Sequence, residues 1–384
     1  MGRRVASPAA DAPVTSLELF FDLVFVFTIT QLTAFVFASS GAESYLRAAL
    51  LLFVVFWMYD GYCYLANNVG PTTASTKVPM LVAMAAFLVL AAALPGAFGP
   101  DRWLFAAAYL VVVLVHVVSF TRSSLGGSAR AILAIAPVNI GCALLLFVAA
   151  AVPEPWRTLL WCAGIGFYVA AMLTRRESGF TIRPGHFAER HRLLLIIALG
   201  ESVIAIGVSA RGGLHHAFVL VAVLLSLVLI SALWWLHFDD EERTERALEE
   251  VERTDPARTA RVALLAFSMG YLVLVAGLVL VAAGLHDVVH APGHHLGWGS
   301  AGNLAVGTGL FLEGHSFFLW RLGVSSGWAL KTGAVLCLPT ALLGHATGGA
   351  VQAASLVVVV LLAALLRQRD DGAVSERGPR SATA

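Results

Sequence analysis

Hydrophobic residues fall along this chain in a series of runs, each close to twenty residues long and separated by short polar segments. A helix needs about 20 apolar residues to cross the hydrocarbon core of a bilayer, so each run predicts one membrane-spanning helix. The runs predict twelve spans, at residues 16–39, 45–66, 78–97, 102–121, 130–151, 156–173, 192–210, 217–238, 260–284, 300–320, 328–346 and 349–367.

The composition indicates an all-α protein that forms a polytopic transmembrane helix bundle in the lipid bilayer. The chain of 384 residues is 59% hydrophobic and 13% charged, whereas soluble domains contain about 25% charged residues. Its mean hydropathy is +0.82. The residues before the first run lack the apolar segment of a cleavable signal peptide, so we expect the first span to be permanent.

The distribution of basic residues predicts the orientation of the chain. Cytoplasmic loops are enriched in Lys and Arg. With the N-terminus inside, twelve spans place 21 of the 25 basic residues on the cytoplasmic side. The other four are Arg47, Arg102, Arg157 and Arg211. We therefore predict that both termini are cytoplasmic, and the net charge of +1 does not indicate a nucleic-acid partner.

The segments between the runs are too short to form a soluble domain. We predict a cytoplasmic N-terminal tail at 1–15, a first set of spans at 16–173 and a cytoplasmic linker at 174–191. A second set of spans follows at 192–367, and the polar residues 368–384 are expected to form a disordered cytoplasmic tail.

Acidic residues recur at equal spacing in the two sets of spans. Asp22 precedes Asp60 by 38 positions, and Glu201 precedes Asp239 by 38 positions. Asp60 ends the stretch FWMYD, and Asp239 ends the similar stretch WLHFD. The equal spacings indicate that the chain contains two related halves.

A second recurring pair supports the repeat. HVVSFTR runs from His116 to Arg122, and HSFFLWR runs from His315 to Arg321. With six spans in each half, the halves would have the same orientation and would be related by an axis along the membrane normal. We predict a six-plus-six parallel repeat in which Asp22 corresponds to Glu201.

Four stretches resemble the bacterial low temperature requirement A (LtrA) family. They are LELFFDLVFVFTITQLT from Leu17, GHFAERHRLLLIIALGESVIAIGV from Gly185, WWLHFDDEE from Trp234 and LEGHSFFLWRLG from Leu312. The resemblance covers roughly residues 15–366 and implies a multi-pass bacterial inner-membrane protein, linked by name to growth in the cold, with no settled biochemical activity. It supplies no catalytic residues to carry over. LFFDLVFVFTIT is also similar to the first helix of a bacterial and lysosomal potassium-channel family with six-helix repeats, although Phe21 replaces the serine of that motif.

The first span combines a helix cap with an acid inside the apolar run. Thr15 and Glu18 have the spacing of a capping box, so we expect Glu18 to be a cap. Asp22 lies one turn further and must face protein or water, since a charge facing lipid costs about 2.5–3.5 kcal/mol. It is either an acid held by the helix N-terminus and an arginine partner or an ion or proton site.

Glu201 is the strongest candidate for an ion or proton site. It follows Arg192 by nine residues, which places it roughly 13–14 Å into a hydrocarbon core of about 30 Å. Candidate partners are His116 and His315, because a histidine beside an acid can exchange protons near neutral pH. Each histidine could instead bond a single backbone carbonyl.

Four further charged residues form a second group of candidates. Aromatic residues surround Asp60 and Asp239, as expected at a membrane interface, so we predict that both acids are interfacial and solvated. Arg122 and Arg321 are expected to lie on the cytoplasmic side.

No pattern in the sequence predicts an enzyme, a cofactor or a metal centre. The cysteines lack paired spacing and are expected to be small buried apolar residues: Cys63, Cys142, Cys162 and Cys337. His286 and His290 could share a helical face and bind zinc, but a His-rich segment is more often a polar loop.

The sequence favours an ion- or proton-coupled transporter of a small ion or small molecule, with the two halves moving around midplane acids. One alternative is a cation channel or leak in which the first and seventh helices line a pore. Another is a membrane protein without transport activity, or a membrane-embedded enzyme. Neither the substrate nor the oligomeric state is predicted.

Overall fold

The computed structural model describes residues 14–39, 41–68, 73–123, 127–174, 182–325 and 327–376, and every regular element in these ranges is helical. The α-helices are α1 (Ser16–Phe37), α2 (Ala42–Asn68), α3 (Ala74–Ala93), α4 (Arg102–Ser123), α5 (Gly127–Ala151), α6 (Trp156–Thr174), α7 (Pro184–Ser209), α8 (Ala217–Phe238), α9 (Glu241–Thr254), α10 (Pro256–Ala263), α11 (Gly270–His290), α12 (Trp298–Leu322), α13 (Trp328–Cys337), α14 (Thr340–Thr347) and α15 (Gly349–Glu376). A 3₁₀ turn, Leu94–Gly96, follows α3, and a π-helical turn, Leu264–Met269, joins α10 to α11.

Nine segments within the described ranges are long and apolar enough to cross a membrane, so the chain is a multi-pass membrane protein. They are Ser16–Phe37, Ala42–Asn68, Ala74–Gly96, Arg102–Arg122, Pro184–Ser209, Ala217–Thr254, Arg261–His290, Trp328–Thr347 and Gly349–Arg369.

Three of the predicted spans are helical but are not among these nine segments. They correspond to α5, α6 and α12, and the described apolar part of α5 is Ile135–Ala151. Polar residues lower the apolar content of α12, among them Asn303, Thr308 and His315. The count of twelve spans and the six-plus-six repeat therefore stay predictions.

The chain divides into two compact units. Unit 1 comprises Met1–Ala198 and Leu248–Ser268, and unit 2 comprises Leu199–Ala247 and Met269–Ala384. The three boundaries fall inside α7, inside α9 and inside the π-helical turn.

In unit 1, the start of α1 is organised by local hydrogen bonds and by aromatic packing. The backbone N–H of Thr15 donates to Glu18 Oε2 at 2.7 Å, and the N–H of Glu18 donates to Thr15 Oγ1 at 3.3 Å. The predicted capping box is therefore confirmed. The ring of Phe25 stacks on Tyr59 of α2, with a centroid distance of 4.1 Å, while Phe21 lies 5.1 Å from Tyr62. These contacts orient the acidic face of α1 toward protein.

The second half of the predicted linker is helical. Residues 184–191 form the first two turns of α7, and both Arg190 and His191 are fully buried. The segment before them is anchored to the end of α2: the N–H of Arg183 donates to Asn67 Oδ1 at 2.9 Å, and Asn67 Nδ2 donates to the Arg183 carbonyl at 3.1 Å. This anchor holds the start of α7 beside α2 in unit 1.

In unit 2, α11 and α12 pack with their backbones in contact. A Cβ atom at Gly277 would lie 2.6 Å from the carbonyl oxygen of Gly307, and one at Gly307 would lie 2.7 Å from the nitrogen of Val281. A Cβ at Gly314 would lie 2.9 Å from the nitrogen of Leu274. Small residues allow this close approach, which favours helix association where lipid replaces water.

We expect Gly307→Ala to lower the free energy of unfolding by about 1–3 kcal/mol, because the new methyl group meets rigid backbone of α11. Gly302→Ala, on the same helix, is the matched control, since a Cβ there meets nothing within 4 Å. Alanine favours helix over glycine by about 1 kcal/mol, so the control should be neutral or stabilising. Unfolding of the purified protein by sodium dodecyl sulfate would measure both. Equal stabilities would contradict the close helix contact.

The last helix of unit 2 extends beyond its predicted boundary. It continues to Glu376, whereas the predicted span ends at residue 367, and Arg367 is only 2% exposed. The side-chain amide of Gln352 donates to the Ala301 carbonyl at 2.7 Å and holds α15 against α12. The rest of the predicted tail, 377–384, lies outside the described residues.

Candidate functional site

Two carboxylates on one face of α1 meet two basic side chains at the start of α7. Glu18 and Asp22 are four residues apart, and so are His186 and Arg190, so each pair lies on one face of its helix. His186 Nε2 lies 3.4 Å from Glu18 Oε1, and Arg190 Nη2 donates to Asp22 Oδ1 at 2.5 Å. All four side chains are buried. The two contacts therefore lie one helical turn apart between α1 and α7.

Asp22 has a second polar partner on α2. The hydroxyl of Tyr59 donates to Asp22 Oδ1 at 3.0 Å, and the Arg190 guanidinium lies 5.9 Å from the centre of the Tyr59 ring. The arginine partner that one interpretation of Asp22 required is therefore present. Asp22 Oδ2 and Arg190 Nε and Nη1 are buried and have no hydrogen-bond partner among the described residues. Such unpaired polar atoms are unusual in a protein interior.

A third buried carboxylate, that of Asp60 on α2, contacts His191 of α7. His191 Nε2 lies 3.1 Å from Asp60 Oδ1, and the Ser268 hydroxyl donates to Asp60 Oδ2 at 2.5 Å. Asp60 is only 4% exposed. The prediction that Asp60 is solvated is therefore wrong, because His191 and Ser268 contact its carboxylate and the neighbouring Tyr59 and Tyr62 are buried. Its place at the membrane interface stays a prediction.

His191 stands between two hydrogen-bond acceptors. Its Nδ1 lies 2.9 Å from the carbonyl oxygen of Phe187, one turn earlier on α7, while its Nε2 faces Asp60. A carbonyl can only accept, so Nδ1 must carry a proton. Nε2 then makes a hydrogen bond with Asp60 only if a further proton lies between them, either on the imidazole or on the carboxyl group. A hydrogen bond between His191 and Asp60 therefore requires one proton beyond the one on Nδ1.

In unit 2, the predicted site residue His315 lies near an acid that sequence reasoning did not single out. His315 Nε2 is 3.5 Å from Asp240 Oδ2, and its Nδ1 is 3.1 Å from His237 Nδ1. Asp240 is buried, and Arg367 of α15 donates to it. The adjacent Asp239 is half-exposed, as expected of a solvated acid, and lies 3.8 Å from Arg367. Its place at the membrane interface stays a prediction.

The other predicted site residues lie apart from these contacts. His116 is buried and Nε2 donates to the Gly61 carbonyl at 2.9 Å, as in the second of its two interpretations. Glu201 is half-buried on α7, and no hydrogen bond or ion pair among the described residues involves its side chain. Arg122 is exposed, and the Arg321 guanidinium lies 5.4 Å from the ring of Trp320.

Sequence reasoning missed the basic partners because they stand at the ends of apolar runs. His186, Arg190 and His191 lie before the run that predicted the seventh span, and Arg367 ends the last run. One local signal was available, since His186 and Arg190 have the same four-residue spacing as Glu18 and Asp22. Oppositely charged residues at equal spacing are compatible with two helices that face each other.

Comparison with known proteins agrees with the resemblance found in the sequence. The family described as bacterial low temperature requirement A protein (LtrA) matches residues 13–365. The chain is also 27% identical over 327 residues to an uncharacterized protein of Rhizobium meliloti (strain 1021), and this alignment covers 80% of the chain and 77% of that relative. Apart from Arg367, every site residue described above lies within the family match. The chain therefore belongs to the bacterial low temperature requirement A family.

Proposed function

We propose that this protein is a proton-coupled transporter and that the proton held between Asp60 and His191 takes part in the coupling. The observation that carries the proposal is the position of His191 between the Phe187 carbonyl and the Asp60 carboxylate. Ionisable groups inside membrane-spanning segments are costly and commonly mark ion or proton pathways. A histidine beside an acid can gain and lose a proton near neutral pH.

The balance of charges in unit 1 supports proton binding. Among the described residues of unit 1, three carboxylates are buried but only one guanidinium is, that of Arg190. Arg183 is half-buried and donates to backbone carbonyls at the end of α2. Two further positive charges would neutralise the buried acids, and His186 and His191 each contact one carboxylate. Protonation of these two histidines would supply both charges.

Reconstitution into liposomes tests the proposal. We expect a pH gradient to drive saturable flux of a small ion or small molecule, with acidification or alkalinisation of the lumen reported by a pH-sensitive dye. Flux should be sought against a panel of inorganic cations, anions and small organic ions. Current that does not saturate and needs no proton gradient would instead support a channel. Absence of any flux or proton movement would support a protein without transport activity.

Glu201 is a second residue that we predict to couple proton or cation binding to transport. Its half-buried place on α7, about one third of the way from its C-terminal end, is compatible with exchange of a proton or cation. In the same liposomes, Glu201→Gln should keep the protein folded and abolish coupled flux. Normal flux in that variant would remove Glu201 from the coupling pathway.

We also infer that the protein resides in the bacterial inner membrane with both termini in the cytoplasm. Arg190 and Arg367 are buried in ion pairs, so they no longer report orientation. Nineteen of the other 23 basic residues still fall on the predicted cytoplasmic side. Single cysteines at Ala9, Gly299 and Ala373 can be probed with an impermeant thiol reagent on spheroplasts. Labelling at Ala9 or Ala373, or protection at Gly299, would contradict this orientation. Ala9 lies outside the described residues.

A further inference from the structure

Four buried side chains of unit 2 form a continuous line of polar contacts. The hydroxyl of Tyr271 on α11 lies 3.0 Å from His237 Nε2 on α8, and His237 Nδ1 lies 3.1 Å from His315 Nδ1 on α12. His315 Nε2 lies 3.5 Å from Oδ2 of Asp240, in the turn between α8 and α9. None of the four is more than 4% exposed. Groups from the end of α8, from α11 and from α12 therefore lie within contact distance in a buried interior.

The contact between the two histidines restricts their protonation. Two ring nitrogens at 3.1 Å form a hydrogen bond only if one carries a proton and the other does not. If His315 Nδ1 were the donor, a neutral His315 would direct the lone pair of Nε2 at the Asp240 carboxylate, which is unfavourable. If His237 Nδ1 is the donor, neutral His315 carries its proton on Nε2 and directs it at Asp240.

The second arrangement satisfies both hydrogen bonds of the line and places the His315 Nε2 proton nearest Asp240, 3.5 Å away and without a hydrogen bond. A neutral His237 that carries its proton on Nδ1 has a free lone pair on Nε2, which accepts from the Tyr271 hydroxyl. The two hydrogen bonds then run in the same direction, from Tyr271 through His237 to His315, and Asp240 is the next polar group, 3.5 Å from His315 Nε2. A line of donors with one direction is the arrangement through which a proton can be passed.

The charged groups around Asp240 balance one another. Arg367 of α15 donates to Asp240 Oδ2, and Arg243 of α9 donates to Oδ1 at 3.1 Å. Asp239 lies 3.8 Å from Arg367. Two carboxylates therefore face two guanidinium groups, which leaves both histidines neutral. The side chains of Arg243 and Asp239 are 43% and 42% exposed, so this end of the line borders solvent.

We propose that Tyr271, His237, His315 and Asp240 form a proton relay. A proton that reaches the oxygen of Tyr271 displaces the hydroxyl proton onto His237 Nε2. His237 passes its Nδ1 proton to His315 Nδ1, and His315 passes its Nε2 proton to Asp240. Apart from the bond that the incoming proton makes to Tyr271, three O–H or N–H bonds break and three form. One positive charge therefore moves along the line, and no electrons are transferred. Only the role of the relay in transport depends on the proposed function. The proton path itself is a property of these four residues.

Nuclear magnetic resonance of the histidine-labelled protein in lipid nanodiscs tests the arrangement directly. We expect His237 Nδ1 to carry a proton, His315 Nδ1 to be unprotonated, and a scalar coupling to connect the two nitrogens. His237→Gln and His315→Gln assign the signals. His345 is the internal control, because its Nδ1 faces the Leu296 carbonyl at 2.9 Å and should be protonated without such a coupling. A protonated His315 Nδ1, or no coupling, would overturn the relay.

Exchange of the His237 Nδ1 proton with deuterated solvent tests the transfer. Tyr271→Phe keeps the ring and removes the hydroxyl that protonates His237 Nε2 as the Nδ1 proton leaves, so exchange should slow by about 100-fold, as expected for loss of one proton-transfer partner. Tyr109→Phe also removes a buried hydroxyl, 2.8 Å from Tyr168, and should leave the exchange unchanged. Unchanged exchange in Tyr271→Phe would refute the relay. Because neither measurement uses a substrate or a gradient, a protein that shows the relay but no proton-driven flux would refute only the proposed function.

Discussion

Replacing Arg190 with methionine is expected to destabilise unit 1 more than any other single change at the site. Arg190 and Asp22 are both fully buried and their nearest atoms are 2.5 Å apart. Removing one partner of a buried ion pair leaves an uncompensated charge and typically costs about 3–5 kcal/mol. Arg190→Met should therefore give little folded protein, and the remainder should unfold at a lower concentration of sodium dodecyl sulfate.

A double substitution separates the loss of charge balance from the loss of the side chain. Asp22→Asn combined with Arg190→Met removes both charges, so most of the stability should return, as it does when a buried ion pair is replaced by uncharged groups. Arg122→Met is the control, because Arg122 is exposed at the end of α4. This variant should unfold like the unmodified protein. If the Arg190→Met protein were as stable as the Arg122→Met protein, Arg190 would not be neutralising the buried charge of Asp22.

Asp60→Asn is expected to abolish proton-coupled flux while the protein remains folded. An asparagine can donate its amide to the bare Nε2 of a neutral His191 and still accept from the Ser268 hydroxyl. The shape and the hydrogen bonds are kept, so the cost in stability should stay near 1 kcal/mol. The proton between the two residues is no longer required, and the exchange that couples flux to the pH gradient disappears.

Two measurements check this result in liposomes and in solution. Proton-driven flux should fall to the background of empty liposomes, and a pH titration of the folded protein should show one proton fewer taken up than in the unmodified protein. Asp239→Asn is the matched control, because Asp239 is half-exposed and borders solvent. Full proton-coupled flux in a folded Asp60→Asn protein would show that the Asp60–His191 pair is not the coupling group.

Some features of the site were available from the sequence because they depend on neighbours a few residues apart. The capping box of Thr15 and Glu18 is such a case, since both hydrogen bonds connect residues three positions apart. The need of Asp22 for a polar partner also followed, because an acid inside an apolar run cannot face lipid. Glu201 met the same criterion, but no described residue bonds its side chain, and its two predicted partners bond elsewhere: His116 the Gly61 carbonyl and His315 the ring of His237.

The position of Asp60 could not be derived in the same way. Aromatic residues around an acid are found both at membrane interfaces and in packed interiors, and the sequence does not distinguish the two. The distinction depends on His191 and Ser268, which are 131 and 208 positions away from Asp60. The equal spacing that related Asp60 to Asp239 did not reveal that one is buried and the other borders solvent.

The amino-acid sequence alone determined that the chain is helical and multi-pass, because the length of an apolar run is set by the thickness of the bilayer. Four stretches of the sequence also indicated its family. Only the tertiary structure decided which charged residues at the ends of those runs are buried. Hydropathy treats Arg190 and Arg367 as polar wherever they lie, and it places them in water. Their burial follows from Asp22 and Asp240, which are 168 and 127 positions away and which neutralise them in the folded state. Such pairing depends on how helices pack, and no local spacing in the chain encodes it.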